Sequence, residues 1–353
     1  MKILLVIPDL SKGGASTAAA KLSTIFVQHG HEVYIIIFHD PIEYEYSGKL
    51  ININVPLSTV MWNKLLIYVK RVVRLRKWIK SLKPDLIISF TESANTVTII
   101  ANRGFNYRHK VRIGGEPANL PSHYKPLFSL YKNAYKVVAV SNGIKEELEQ
   151  KYHFTNIEVI NNGIDMNYVD HKSSEPLTIH IPQPYILSIG RLVKMKSFDN
   201  LIYAFNKAFK GLPIHLVIGG EGEERIYLES IISQLQLKDK VHLIGKVDNP
   251  FPLFKNVMFY TLSSSSSEGF PNILVEALAC GCPIIATDCR YGPREILEDG
   301  KYGILVPPDN IDALAENMKL LYENGELRKK LQIKSVQRAH YYNINNIVQQ
   351  WLK

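Results

Sequence analysis

Short apolar runs alternate with amphipathic segments along the whole chain. The first runs are KILLVIP (2–8), EVYIIIF (32–38) and DLIISF (85–90), and segments with helical spacing lie between them. Strands that are apolar on both faces are typical of parallel sheets covered by helices. The pattern therefore predicts an α/β fold made of doubly wound, Rossmann-like sheets.

The alternation pauses at residues 171–184, where three prolines and no helical period indicate a linker. It restarts with PYILSIGRL (184–192) and continues to CPIIATD (282–288). Two domains facing each other would place a ligand in the cleft between them, at the carboxyl ends of their strands. The expected boundaries are an N-terminal domain over 1–170, a linker over 171–184, a C-terminal domain over 185–337, and a C-terminal helix over about 338–353 that packs back on the first domain.

Positive charge is concentrated in the first half of the chain. Residues 1–170 carry 21 Lys and Arg against 14 Asp and Glu, whereas the remainder carries 21 against 19. This excess indicates an acidic partner. Nucleic acid is not expected to be that partner, because no stacking platform or groove-reading motif accompanies the charge.

The compartment is inferred from the cysteines and from the apolar runs. Cys280, Cys282 and Cys289 lie in one segment, without the even, spaced set of a disulfide framework. We interpret them as small core residues in a reducing compartment, although a Cys-x-Cys metal pair is the alternative. MKILLVIPDL is interpreted as a first strand and not as a signal peptide. The chain is therefore expected in the cytoplasm.

The most basic stretch, WNKLLIYVKRVVRLRKWIKSLK (62–83), has its apolar residues at helical spacing and its cations on the other faces. It is a candidate in-plane helix for an anionic membrane surface, on the inner face of the cytoplasmic membrane. It could equally bind the diphosphate of a lipid-linked acceptor, or be an ordinary domain helix with a solvated basic face. The cations proposed for membrane or acceptor contact are Lys70, Arg71, Arg74 and Lys77.

A Ser-rich loop leads into Glu268, and Glu276 follows eight residues later, inside the second turn of a predicted helix. A helix start offers backbone N–H groups and a positive dipole end. Two carboxylates beside such an anion site suggest a ligand with both hydroxyls and phosphates, such as a nucleotide sugar. The alternative is that Glu268 caps the helix and Glu276 lies on a solvated face.

Two further turns follow predicted strands. Gly13-Gly14 comes after the first strand, where glycines let backbone N–H groups approach a phosphate, although the G-x-G-x-x-G fingerprint is absent. Arg191 and Lys196 come after the first strand of the second domain, and together they could stabilise a diphosphate leaving group. Because no Asp-x-Asp motif occurs, no metal cofactor is expected.

These motifs, in this order and spacing, resemble glycosyltransferase family 4, whose members are retaining enzymes of the GT-B fold. The resemblance runs nearly end to end and includes SIGRLVKMKSFDNLIYAF (188–205), GGEGEE (219–224) and VHLIGKV (241–247). It implies transfer of a sugar from a nucleotide sugar, with a UDP-sugar favoured, to a glycan acceptor. The TDCRYGPREIL segment (287–297) is similar to the subset that acts on polyprenyl-diphosphate-linked sugars.

The resemblance also implies roles for individual residues. Glu276 would bind the ribose and Glu268 the hydroxyls of the donor sugar, while Arg191 and Lys196 would hold the diphosphate. The remaining donor-binding residues implied by the family pattern are Gly13, Gly14, Gly245, Phe270, Pro271 and Asn272.

One position departs from the family pattern. Many members place a His in the first domain facing the sugar, whereas here RIGGEPANLPSHY (112–124) has Glu116 at that site. Glu116 is thus a further candidate catalytic residue, and a capping or ion-pair role is its alternative.

Three other functions fit parts of the pattern. A nucleotide-sugar epimerase on the same two-domain scaffold would convert the donor without an acceptor. A nicotinamide-dependent oxidoreductase would need the missing dinucleotide fingerprint. A non-catalytic protein would bind the donor without turnover.

Overall fold

Parallel strands and covering helices alternate through both halves of the chain, as the apolar runs predict. The structure is a computed structural model that describes residues 1–11, 13–56, 61–120, 124–177 and 179–353, with the side chains of 61–64 excepted. The chain folds into two units, which consist of Met1–Asn162 with Ile344–Lys353 and of Gly163–Asn343.

The first unit is built on a seven-stranded parallel sheet with the strand order β3-β2-β1-β4-β5-β6-β7. Leu4 and Leu5 of the central strand point to opposite faces and are both fully buried, which explains the continuous apolar run. The strands are β1 (Lys2–Ile7), β2 (Glu32–Ile37), β3 (Lys49–Asn52), β4 (Leu86–Phe90), β5 (Arg108–Ile113), β6 (Lys136–Ala139) and β7 (Ile157–Val159).

Helices cover both faces of this sheet. Side chains of α1 and of the C-terminal segment share one core with the sheet, and those of α2 and α3 share the other. The α-helices are α1 (Gly14–Gln28), α2 (Met61–Leu82), α3 (Thr91–Asn102) and α4 (Asn142–Tyr152), and two 3₁₀-helices span Pro117–Asn119 and Lys125–Asn133.

The second unit repeats the architecture with six parallel strands in the order β10-β9-β8-β11-β12-β13. Its strands are β8 (Tyr185–Ile189), β9 (His215–Gly219), β10 (Val241–Leu243), β11 (Phe259–Leu262), β12 (Ile284–Thr287) and β13 (Ile304–Val306). Its helices are α5 (Met166–Ser173), α6 (Phe198–Phe209), α7 (Arg225–Gln234), α8 (Phe251–Lys255), α9 (Asn272–Ala279), α10 (Pro293–Ile296), α11 (Ile311–Glu323) and α12 (Gly325–Tyr341), with a 3₁₀-helix at Lys194–Lys196.

The predicted linker differs from the structure at its start. Residues 171–173 are the last turn of α5, which Asp165 caps by accepting hydrogen bonds from the backbone of Asn167 and Tyr168. The capping carboxylate begins a helix that the proline-rich composition downstream obscured. Thr178 of the predicted linker lies outside the described residues.

The C-terminal helix α13 (Ile344–Leu352) belongs to the first unit. Ile344, Ile347, Val348 and Trp351 are buried in the core that α1 shares with the sheet. The helix begins at Ile344 and not at 338, because α12 continues to Tyr341.

Each sheet has one point where the strand order reverses. In the first unit that point lies between β1 and β4, and in the second it lies between β8 and β11. Loops that leave the carboxyl ends of these strand pairs diverge to opposite faces and leave a crevice, which is where open α/β sheets bind ligands. The fold therefore directs attention to the loops after β8 and β11 in the second unit and after β1 and β4 in the first.

Candidate active site

An ion pair joins the two loops at the β8/β11 switch point of the second unit. Lys196 ends the 3₁₀-helix after β8, and Glu268 lies on the Ser-rich loop after β11. The Lys196 Nζ lies 2.6 Å from Oε1 and 2.8 Å from Oε2 of Glu268. The side chains are 15% and 7% exposed, so the pair is largely desolvated and its electrostatic coupling is strong.

The Ser-rich loop is fastened to the turn that carries Lys196. Ser263 Oγ donates to the Lys196 carbonyl at 2.8 Å, and the Ser265 backbone N–H donates to the Met195 carbonyl at 3.0 Å. Ser264 Oγ donates to Glu268 Oε1, while its own carbonyl accepts from Thr287 Oγ1 at 2.6 Å. The serine composition thus supplies short donors that fix both charged side chains at the sheet edge.

The ion pair changes which hydrogen bonds Lys196 and Glu268 can make to a ligand. The family resemblance implies that Lys196 binds the diphosphate and Glu268 the sugar of one donor, whereas in the structure the two side chains bind each other. A carboxylate with both oxygens engaged is a poor general base, and an ammonium directing two of its three N–H groups to that carboxylate keeps one for another acceptor. The pair is suited to positioning a polar ligand beside a fixed dipole.

Arg191 supplies a second positive charge at this edge. It follows Gly190 after β8, its side chain is exposed, and it has no ion-pair partner within the described part of the chain. A guanidinium in that state can bind phosphate oxygens in a bidentate manner without breaking an existing pair. Its location at the switch point agrees with the diphosphate role that the family resemblance implies.

The Gly-rich turn after β9 packs directly on the backbone that carries Arg191. A Cβ at Gly220 would lie 1.8 Å from the Gly190 carbonyl oxygen, and one at Gly222 would lie 2.2 Å from that of Leu192. These distances exclude any side chain, so glycine is required by close backbone approach. The GGEGEE segment therefore sets the position of the Arg191 turn.

Gly245, after β10, joins the same edge. Its carbonyl accepts a 2.7 Å hydrogen bond from the Gly220 backbone N–H, and its own φ is +75°. Glu221 Oε1 would lie 3.2 Å from a Cβ at Gly245, and Arg225 holds that carboxylate with a 2.8 Å bond. The structure thus brings Gly245, one of the donor-binding residues that the family pattern implies, together with the Gly-rich turn that packs on Gly190–Leu192.

Helix α9 begins immediately after the loop of residues 263–271, which carries Glu268 and is called the signature loop. Glu276 is its fifth residue and is half-buried, so it lies in the second turn as predicted. Phe270 is 5% exposed, and its ring packs edge-to-face against Tyr342 at 5.6 Å. Its side chain is thus a packing anchor, and only the backbone near Phe270, Pro271 and Asn272 is available to a ligand.

The loop after β12 packs against the signature loop, a contact that the sequence does not predict. Gly292, after β12, has a φ of +86°, and a Cβ there would lie 2.4 Å from Pro271 Cδ. The Arg290 carbonyl accepts a 3.2 Å bond from the Glu268 backbone N–H. The Tyr-Gly-Pro sequence marks a turn here, but only the structure shows what that turn touches.

The candidate residues of the first unit occupy the carboxyl edge of its own sheet. Gly13 and Gly14 begin α1, are exposed, and would have nothing within 4 Å of an added Cβ. Glu116 follows β5 and its carboxylate accepts a 2.8 Å bond from Asn119 Nδ2, but it makes no side-chain hydrogen bond that caps the 3₁₀-helix Pro117–Asn119. Lys12 and residues 121–123 of the predicted segments lie outside the described residues.

Helix α2 confirms the predicted helix but corrects one of its cations. Lys70, Arg74 and Lys77 are exposed, and Arg74 donates to the Asn54 carbonyl at 3.0 Å. Arg71 is 0% exposed, so the prediction that it faces a membrane surface is wrong. Helical spacing placed Arg71 with the polar positions, whereas its guanidinium turns under the helix toward Ser93.

The apolar stripe of α2 is divided along its length. Leu75 and Ile79 are buried in the core, whereas Leu65 and Val69 are 74% and 51% exposed. The exposed apolar part lies beside the exposed cations on the same helix. No helix of the described chain is long and apolar enough to cross a membrane.

The cysteines are packing residues. Cys282 and Cys289 are buried, as predicted for core positions, and Cys280 is half-buried. Burial raises the pKa of Cys280 and of Cys289 to about 12 each, which keeps both as thiols. Within the described residues, no group of three or more His, Cys, Asp or Glu side chains is placed to hold a metal ion.

Comparisons with known proteins cover both units. The family model for Glycosyltransferase Family 4 matches residues 12–168, and that for Glycosyl transferases group 1 matches residues 170–338. The chain is 30% identical to the Campylobacter jejuni N-acetylgalactosamine-N,N'-diacetylbacillosaminyl-diphospho-undecaprenol 4-alpha-N-acetylgalactosaminyltransferase, over 100% of this chain and 98% of that enzyme.

Solved structures share the fold at lower identity. A glycosyltransferase from Rickettsia africae superposes with a TM-score of 0.83 at 20% identity, covering 99% of this chain and 96% of that one. The Anabaena protein Alr3699/HepE in complex with UDP superposes with a TM-score of 0.79 at 19% identity, covering 99% and 98%. The likeness to these structures extends over nearly all of each chain.

Proposed function

The chain belongs to glycosyltransferase family 4, and from that premise we propose that it moves a hexose or N-acetylhexosamine from a nucleotide sugar to a polyprenyl-diphosphate-linked glycan with retained anomeric configuration. It is a glycosyltransferase of the GT-B fold, with two Rossmann-like domains. The observation that carries the finer proposal is the Lys196–Glu268 pair with Arg191 at the β8/β11 switch point. A reaction in the assembly of a polysaccharide or glycan follows from this activity.

In the proposed donor site, cations bind the diphosphate end of the nucleotide sugar and a carboxylate binds its sugar end. Arg191 and the remaining N–H of Lys196 would bind the diphosphate, whose charge grows as the bond to the sugar breaks. Glu268, held by Lys196 and Ser264, would accept hydrogen bonds from the sugar hydroxyls. Two cations fixed at one edge supply this stabilisation from the chain itself, and a UDP-sugar is favoured because the Anabaena protein of the same fold was solved with UDP.

Glu276 would accept hydrogen bonds from the ribose of the donor. We expect Glu276→Ala to raise the dissociation constant of the preferred nucleotide sugar about tenfold or more, since it removes charge-assisted hydrogen bonds. A thermal-shift screen of UDP- and GDP-sugars measures this, because a ligand of the native state raises the melting temperature. Glu316→Ala, an exposed glutamate of α11, is the matched control.

The screen also separates the rival functions. Absence of a shift with every nucleotide sugar would contradict the proposed donor. A shift accompanied by conversion of the donor sugar without any acceptor would instead indicate an epimerase. Transfer that requires an added acceptor supports the proposed reaction.

For the acceptor half we propose a peripheral position on the inner face of the cytoplasmic membrane, where the lipid-linked glycan lies. The Campylobacter relative carries a diphospho-undecaprenol acceptor in its name. On α2, exposed Leu65 and Val69 lie beside exposed Lys70 and Lys77, a combination that suits an anionic lipid surface.

Charge reversal of α2 should weaken vesicle binding. We expect Lys70→Glu with Lys77→Glu to abolish most of the salt-sensitive sedimentation with anionic vesicles, since each surface cation contributes about 1 kcal/mol. The matched control is Lys329→Glu with Lys330→Glu on α12, which changes the net charge equally. Equal sedimentation of the two double variants would contradict a membrane-facing α2.

A further inference from the structure

A buried arginine without an acid lies in the first unit. Arg71 of α2 is 0% exposed, and its Nε donates to the Val55 carbonyl at 2.9 Å. Its Nη1 donates to Ser93 Oγ at 3.0 Å, and its Cζ lies 4.6 Å from the centre of the Phe38 ring. The third nitrogen, Nη2, is buried and has no hydrogen-bond partner.

The charge of Arg71 is not compensated by the residues around it. It has no ion-pair partner in the described part of the chain, Glu92 of the first turn of α3 included. Burial is the main cause that lowers the pKa of its guanidinium, and the other groups acting on it are the phenols of Tyr68 and Tyr124. Burial of an unpaired charge costs several kcal/mol, so a fold retains it only where something opposes that cost.

Apart from the Val55 carbonyl, the groups that act on Arg71 within the described residues are hydroxyls. Tyr68 Oη lies 2.5 Å from Tyr124 Oη, and Tyr68 also interacts with Ser93. Arginine, tyrosine and serine together can donate several hydrogen bonds to one acceptor group. A cluster of donors without a carboxylate is suited to an oxyanion and not to a cation.

The backbone next to this cluster is strained. Thr91, directly after β4, has a φ of +71°, a conformation that is a genuine outlier for a β-branched residue. Its Oγ1 is buried and has no hydrogen-bond partner. Strain of this kind is concentrated at ligand and active sites.

The cluster lies after the carboxyl end of β4, at the switch point where open α/β sheets bind ligands. Thr91 and Ser93 form the first turn of the 12-residue helix α3, which leaves β4 at the β1/β4 switch point. The N-terminal end of a helix carries partial positive charge and free backbone N–H groups. The unpartnered nitrogen of Arg71 adds a full charge at that place.

We propose that Tyr68, Arg71, Ser93 and Tyr124 form a binding site for a phosphate-type oxyanion. All four residues belong to the first unit. Resting on the proposed function, the oxyanion is a phosphate group of the diphosphate-linked acceptor, and free phosphate is the other source of the same chemistry. A phosphate oxygen would accept from Arg71 Nη2 and from the phenols, which compensates the buried charge.

Inorganic pyrophosphate is the direct probe, measured by calorimetry and by thermal shift on the full chain. Because Arg191 of the second unit would also bind a diphosphate, the comparison is made in the Arg191→Met background. There we expect a pyrophosphate-dependent shift that Arg71→Met abolishes. Tyr68→Phe retains the ring and removes one hydroxyl, so it should fold normally and weaken pyrophosphate about tenfold. It keeps the test valid if Arg71→Met folds poorly.

Kinetics then identify the source of the oxyanion. If it belongs to the acceptor, Tyr68→Phe raises KM for a diphosphate-linked acceptor about tenfold and leaves KM for the same glycan without diphosphate, and for the donor, unchanged. If neither acceptor KM moves while pyrophosphate binding falls, the site takes free phosphate.

A purely structural role gives a different result. In that case Arg71→Met lowers the melting temperature equally with and without pyrophosphate, and Tyr68→Phe leaves pyrophosphate affinity unchanged, which would overturn the proposal. Donor binding measured by thermal shift stays intact in either case, so this failure is distinct from failure of the proposed reaction.

Discussion

Replacement of Lys196 by methionine should lower kcat by about 10²–10³-fold, the loss typical of removing one preorganised charge that faces developing negative charge. Lys196 is 15% exposed and held by Glu268, so its ammonium is already in place before the diphosphate leaves. Methionine keeps most of the length of the side chain and removes only the charge and its donors. The measurement is kcat and KM for the nucleotide sugar identified in the thermal-shift screen.

The matched control is Lys194→Met. Lys194 belongs to the same 3₁₀-helix, is exposed, and is not paired with Glu268. We expect its kcat to stay within about twofold of the wild type, since surface substitutions have small effects. Equal losses in the two variants would mean that the loop, and not the Lys196 charge, matters for the rate.

Measurements of the unfolding free energy distinguish a catalytic role of Lys196 from a role in folding. Lys196→Met leaves Glu268 as a nearly buried charge without its partner, which should cost about 3 kcal/mol of unfolding free energy. Adding Glu268→Gln removes that charge and should recover most of the loss in a urea titration, while activity stays low. Recovery of activity together with stability would show that Lys196 acts only as a structural partner.

Much of the fold follows from the order of the apolar runs, because a strand buried on both faces produces a signal that does not depend on distant residues. The start of α9 and the position of Glu276 within it were predictable for the same local reason. The Lys196–Glu268 pair was not, since its members are 72 residues apart and meet only because β8 and β11 are adjacent at the switch point. Along the chain, Lys196 and Glu268 are assigned to different parts of the donor, the diphosphate and the sugar. Only the strand order shows that they are partners.

Arg71 shows a second limit of reasoning from spacing. Helical periodicity places a residue on a side of a helix, but a long side chain at the border can extend either to solvent or beneath the helix. Its direction depends on acceptors supplied by other elements, here the Val55 carbonyl and Ser93 Oγ. The basic stretch was therefore correctly identified as a helix, while the cation with the most unusual environment was assigned to the wrong surface.

Gly292→Ala should displace the signature loop and reduce donor binding by at least tenfold. The new Cβ would lie 2.4 Å from Pro271 Cδ and 3.3 Å from the Gly269 carbonyl oxygen. A proline ring cannot rotate away as a flexible side chain would, so the contact must move the backbone of 269–271. That backbone connects Glu268 to the start of α9. Its displacement should therefore move both Glu268, which is proposed to bind the sugar, and Glu276, which is proposed to bind the ribose.

Gly300→Ala separates this contact from backbone strain. Gly300 also has a positive φ, +88° against +86° at Gly292, so alanine is strained at both sites. Its Cβ, however, would approach nothing nearer than the Gly303 carbonyl oxygen at 3.6 Å. We therefore expect nucleotide-sugar affinity to fall in Gly292→Ala and to stay close to that of the wild type in Gly300→Ala. Equal affinities would indicate that the signature loop holds its position without the Gly292 turn, and that Glu268 is placed by the Lys196 and serine contacts alone.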